Sequence, residues 1–168
     1  DKAIEYYKKA IEIAPNADLY KSLGTSLINV KKYDAAIEQL KKALEYDQND
    51  TSTHFQYGLA LSKLERYSEA VGHFQAVIKT NPNDDTAQNN LGNVFSELKR
   101  YDESIIHYSK AIELNPNAIS YKNLGTAFIE SKKYNEAIEQ FKKVLEYDPN
   151  DTYAHFQYGF ALNNLKRY

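Results

Sequence analysis

The chain has 168 residues, 42 % hydrophobic and 26 % charged, with a formal net charge of −2. That is ordinary globular composition, which excludes a disordered or collagen-like chain; the net charge of −2 suggests no polybasic nucleic-acid surface, and 18 Lys against 3 Arg weaken that reading further. Without cysteine there is no disulfide framework, thiolate metal site or cysteine nucleophile, and no stretch approaches the ~18 consecutive apolar residues of a membrane span.

In chain order, Ile4, Tyr7, Ala10 and Ile11 share one helical face, and Pro15-Asn16 closes that segment. Tyr20, Leu23, Gly24, Leu27 and Ile28 predict a second helix; Ala36, Ile37, Leu40, Ala43 and Leu44 predict a third. The pair then recurs. Gly24, Gly58, Gly92, Gly125 and Gly159 mark the first helix of each unit, while Tyr33, Tyr67, Tyr101, Tyr134 and Tyr168 mark the start of the second. Pro15, Pro82, Pro116 and Pro149 mark unit ends, with Gln48 in the one slot lacking proline. A longer period overlies this one: segment 17–67 matches 118–168 at 33 of 51 positions, an offset of 101. Asn or Asp after each break (Asp50, Asp84, Asn117 and Asp151) is an expected N-cap. The Lys31-Lys32 and Lys132-Lys133 turns place cations at a helix C-terminus, where the dipole favours them.

Tyr121-x-x-Leu124-Gly125-x-x-Phe128, then Ala137-x-x-x-Phe141, then Pro149, resembles the tetratricopeptide-repeat signature. The other units follow it in register, with His54, Gln88 and His155 in place of the usual aromatic and Ser104 in place of the small Ala. The resemblance implies an all-α fold, an α-α superhelical solenoid of antiparallel helix pairs. It divides 1–168, read as one array, into a half repeat at 1–16, full repeats at 17–50, 51–84, 85–117 and 118–151, and a half repeat at 152–168. The recurring Gly and Ala are expected where paired helices approach closely. Both half repeats lack their partner helix and a polar capping face, so a weak head-to-tail contact between residues 1–14 and 152–168 of two copies is expected. Asp1 opens inside a helical pattern with no initiator Met or signal peptide, so the chain reads as an excised segment. Its compartment stays open, with the cytoplasm favoured.

No catalytic constellation or cofactor motif is present. The four histidines fall at equivalent repeat positions, His54 with His155 and His73 with His107, as a packing role predicts. The resemblance therefore implies a non-catalytic scaffold that binds a protein or extended peptide in a groove lined by the first helices, without cofactor, metal, nucleic acid or membrane. A self-associating solenoid and a regulatory segment of a larger enzyme are the alternatives. Carried over residue by residue, the groove comprises Lys21, Ile28, Phe55, Gln56, Leu59, Asn89, Asn90 and Asn93, followed by Lys122, Asn123, Ile129, Phe156, Gln157 and Phe160. The family's carboxylate clamp for acidic tails does not fit, because Thr25, Gln56, Thr86 and Asn90 stand at its key positions. An amide ladder fits better: Gln56, Asn90, Asn123 and Gln157 occupy one position of successive units and can each donate to and accept from a peptide backbone. Ile28, Phe55 and Leu59 recur as Ile129, Phe156 and Phe160, giving two expected apolar subsites.

Overall fold

The computed structural model describes residues 2–165. Asp1 and residues 166–168 lie outside them, and with them the last recurring tyrosine, Tyr168, and the outer ends of the two expected docking segments. The described residues form ten helices and no strand. They group into two compact units, 1–82 and 83–168.

The first unit holds α1 (Lys2–Ile13), α2 (Ala17–Asn29), α3 (Tyr33–Tyr46), α4 (Thr51–Lys63) and α5 (Tyr67–Thr80). Each helix packs on the next, and the first helices α2 and α4 also touch side by side. The second unit holds α6 (Asp85–Glu97), α7 (Tyr101–Leu114), α8 (Ala118–Glu130), α9 (Tyr134–Tyr147) and α10 (Thr152–Asn164), with the same sequential packing. There α6, α8 and α10 lie side by side.

The breaks work as their residues require. Asn16, Asp50, Asp84, Asn117 and Asp151 each accept a hydrogen bond from a backbone N–H of the turn that follows, at 2.8–3.0 Å. The second helices have no side-chain cap. They start instead from a left-handed residue, Lys31, Glu65, Lys99 or Lys132, with φ between 58° and 61°. At each of these turns the next N–H reaches back to a carbonyl five residues earlier, as in Lys32 to Leu27 at 2.9 Å. The basic turns therefore carry a backbone strain that their charge pattern does not announce.

Close approach explains the glycines. A Cβ on Gly92 would lie 2.6 Å from Tyr108, and one on Gly58 would lie 2.9 Å from Phe74. Leu40 and Phe141 fill the same place beside Gly24 and Gly125. Those four side chains, and Ala36, Ala70 and Ala137 four residues before three of them, are buried. Ser104 takes the Ala place in α7, and its buried hydroxyl meets no hydrogen-bond partner among the described residues.

Two departures from the aromatic pattern are absorbed by pairing rather than by loosening. Gln88 receives a 2.8 Å hydrogen bond from His107 Nδ1. His54 and His73 bring their Nδ1 atoms to 3.0 Å, with the Tyr57 ring stacked on His73 at 3.9 Å. His54 Nε2 lies 3.0 Å from the Gln48 carbonyl, a pure acceptor, so Nε2 carries the proton and Nδ1 accepts from His73. Burial first, and His54 second, push the His73 pKa down to about 4.

Candidate functional site

The candidate groove residues sit on first helices, and the packing of each unit decides which of them are free. In the first unit Lys21 is committed. Its ammonium lies 2.9 Å from Asp50, which also caps α4 and accepts from the Thr53 hydroxyl. Hydrogen bonding to Asp50 raises the Lys21 pKa. Ile28 packs against the cluster of Leu23, Leu27 and Ala36. Phe55 is half-buried and meets buried Phe74 edge to face at 5.7 Å, so it supports the helix pair. Gln56 and Leu59 are half-buried.

In the second unit the Lys–Asp arrangement recurs 101 residues on, with Lys122 bonded to Asp151. Hydrogen bonding to Lys122 lowers the Asp151 pKa. The Lys122 ammonium also lies 5.7 Å from the Tyr153 ring centre. Neither lysine presents an unpaired cation.

Amides meet between α6 and α8. The Asn123 side-chain NH2 donates to Asn89 Oδ1 at 3.3 Å and to Asn93 Oδ1 at 3.2 Å. Asn93 Oδ1 also accepts from the Tyr108 hydroxyl at 2.7 Å, which ties the cluster to a core residue. All three amides are half-buried. Asn90, expected in the ladder, instead donates to its own helix at the Thr86 carbonyl, 2.8 Å away. Gln157 is half-buried on α10. Between α8 and α10 the Thr126 hydroxyl lies 2.9 Å from that of Tyr153, and Phe160 stands edge-on to Tyr134 of α9 at 6.4 Å.

The expected apolar subsites differ from each other. Ile129 is 8 % exposed and belongs to the cluster of Ala137, Ile138 and Phe141, so it stabilises the fold rather than facing a ligand. Phe156 and Phe160 are 68 % and 42 % exposed. Among the described residues no three metal-ligating side chains converge, and no helix is long and apolar enough to cross a membrane.

A tetratricopeptide-repeat family model matches residues 83–150, and the family model described as anaphase-promoting complex, cyclosome, subunit 3 matches residues 1–77. The chain belongs to the tetratricopeptide-repeat family. Its fold is the all-α helical-repeat solenoid of that family. Similar solved structures include MamA, 28 % identical with a TM-score of 0.82 over 85 % of each chain. MamA 41-end from Desulfovibrio magneticus RS-1 is 26 % identical, with a TM-score of 0.85 over 90 % of this chain and 86 % of that one. YrrB, described as a TPR protein with an unusual peptide-binding site, shares the fold at 24 % identity and a TM-score of 0.87, over 98 % of this chain and 86 % of that one. No curated protein matches the sequence significantly. As a tetratricopeptide-repeat chain it is a protein-interaction scaffold.

Position-by-position transfer missed two features of this repeat chain. One is the Lys–Asp pairing, whose signal was its duplication at the 101-residue offset. The other is the role of Tyr108 in holding Asn93, which only the helix pairing displays.

Proposed function

We propose that the face formed by α6, α8 and α10 binds an extended, uncharged peptide segment, gripping its main chain through Asn89, Asn93 and Asn123. The observation that carries this reading is the amide cluster. Asn123 spends both donor hydrogens on its neighbours, leaving its carbonyl oxygen and the NH2 groups of Asn89 and Asn93 without partners among the described residues. One acceptor and two donor groups at half-buried positions match the alternating C=O and N–H of an extended backbone. Phe160 and Tyr153, both exposed on α10, supply an apolar contact for a side chain of the ligand. Because Lys122 is paired with Asp151, α6, α8 and α10 offer no free cation for an acidic tail among the described residues, and binding should be insensitive to salt. In the first unit, Gln56, Leu59 and the exposed edge of Phe55 form the corresponding stretch of lining.

The test is titration calorimetry with peptides selected from a randomised extended library. Asn123→Ala and Asn89→Ala should each weaken binding at least about tenfold, the loss of one or two backbone hydrogen bonds, while the chain stays folded with a stability loss of no more than about 1–2 kcal/mol. Affinity that survives both changes, or that falls steeply with salt, overturns the proposal.

A further inference from the structure

The two slots held by His54 and His73 recur in the other helix pairs. They are filled there by Tyr20 with Gln39, Gln88 with His107, and Tyr121 with Gln140. The fold therefore packs this place without two imidazoles, and among these four pairs α4 and α5 alone bring two together.

The pair is arranged as metal ligands are. Its Nδ1 atoms face each other at 3.0 Å, with the ring centres 5.1 Å apart. Two imidazole nitrogens on one tetrahedral zinc, each about 2.0–2.1 Å from the metal, stand roughly 3.3–3.4 Å apart. Opening the pair by a few tenths of an ångström admits the ion. His54 already holds the ligand tautomer. Its Nε2–H donates to the Gln48 carbonyl at 3.0 Å, which fixes the ring and turns the Nδ1 lone pair toward His73. A metal-bound histidine has such a partner on its far nitrogen. The Tyr57 ring, stacked at 3.9 Å, steadies His73. Both imidazoles are half-buried, so they are held in place yet open to a hydrated ion. Glu69, one turn before His73 on α5, is taken by Arg66, which donates to both carboxylate oxygens at 2.7 Å. The remaining positions on the metal fall to water.

We propose that His54 and His73 bind a zinc ion through their Nδ1 atoms and so clamp α4 to α5. His73 changes tautomer on binding: Nδ1 gives up its proton and Nε2 takes one from solvent, with no net release. Two protein ligands in place of the four of a structural zinc site supply roughly half the binding free energy, which places the dissociation constant at about 1–100 µM. The site is independent of the peptide reading, since it uses none of α6, α8 and α10.

Calorimetric titration of the untagged chain with zinc chloride at about pH 7.5, where the ligands are neutral, tests it. One ion should bind per chain, and the urea midpoint should rise with zinc concentration. The nitrogen-15 resonances of His54 and His73 should move at Nδ1, with His73 showing the change of tautomer. His54→Tyr and His73→Gln install the residues that other repeats carry at these slots, so each variant should fold and each should weaken binding at least about tenfold. His107→Gln and His155→Tyr should leave binding unchanged. No binding at about 1 mM zinc, far above that dissociation constant, overturns the proposal. So does affinity that survives His73→Gln in a chain shown by circular dichroism to be folded, or that is lost equally in His155→Tyr.

Discussion

Gly92→Ala adds one methyl group where two helices touch. Built on the existing backbone, its Cβ lies 2.6 Å from Tyr108 Cδ1 and 2.7 Å from Cε1, well inside carbon–carbon contact. Tyr108 is buried and rigidly held, because its hydroxyl donates to Asn93 at 2.7 Å. The ring must shift or the helices must part. Overpacking of this kind costs about 1–3 kcal/mol, and the strained hydroxyl contact adds about 1 kcal/mol. Replacing a helical glycine recovers about 1 kcal/mol, leaving a net loss of about 1–3 kcal/mol, or several degrees in the unfolding midpoint. Gly72→Ala is the control. It also sits mid-helix, but a Cβ there meets nothing within 4 Å, so only the propensity gain remains and the protein should be stabilised by about 1 kcal/mol. Urea and thermal unfolding followed by circular dichroism measure both. If the two changes move stability in the same direction, glycine at Gly92 is not there for close approach, and the packing argument fails at Gly24, Gly58 and Gly125 as well.

Lys132→Gly or Glu65→Gly should stabilise the chain by about 0.5–1 kcal/mol each, since both residues hold a left-handed conformation that glycine adopts without a Cβ clash; urea midpoints that fall instead would show that the side chains matter more than the backbone. Stability should also depend on pH through His73. Its folded pKa, about 4, lies below the ordinary value of 6.5, so the folded state favours the neutral ring. That contribution is complete above about pH 6.5 and is lost as pH falls toward 4, by about 1–2 kcal/mol once partial exposure of the ring is discounted. His73→Gln, the residue found at the same slot as Gln39 and Gln140, should flatten the unfolding free energy over that interval; an unchanged slope would locate the titration elsewhere.

The repeat was legible because its physics is local. Capping needs Asn or Asp after each break, and close approach needs Gly opposite the large side chain 16 residues on, with a small residue one turn before it; both leave fixed spacings at Asp50, Asn117, Gly24, Ala36 and Leu40. The left-handed turns were not legible, because Lys31, Glu65, Lys99 and Lys132 stand where glycine would have signalled the geometry. The candidate site was legible only in part. Register places Phe55, Ile129 and Phe156 on first helices but not the depth of each side chain. That depth depends on the neighbouring helix, which buries Ile129, holds Phe55 against Phe74 and leaves Phe156 open. Charge pairing was hidden for the same reason: Lys21 finds Asp50 only because the next repeat folds beside it.

That last contact has a consequence for how order spreads along the chain. The Asp50 carboxylate terminates the backbone of α4 through Ser52 N–H and, with its second oxygen, holds Lys21 of the preceding repeat; Asp151 does the same for α10 and Lys122. A helix whose first turn is unformed leaves this carboxylate mobile, and the lysine behind it loses its anchor. Forming one repeat therefore favours its neighbour through this ion pair as well as through the apolar surface between them, a nearest-neighbour coupling of the kind that makes linear arrays melt as cooperative blocks rather than one repeat at a time.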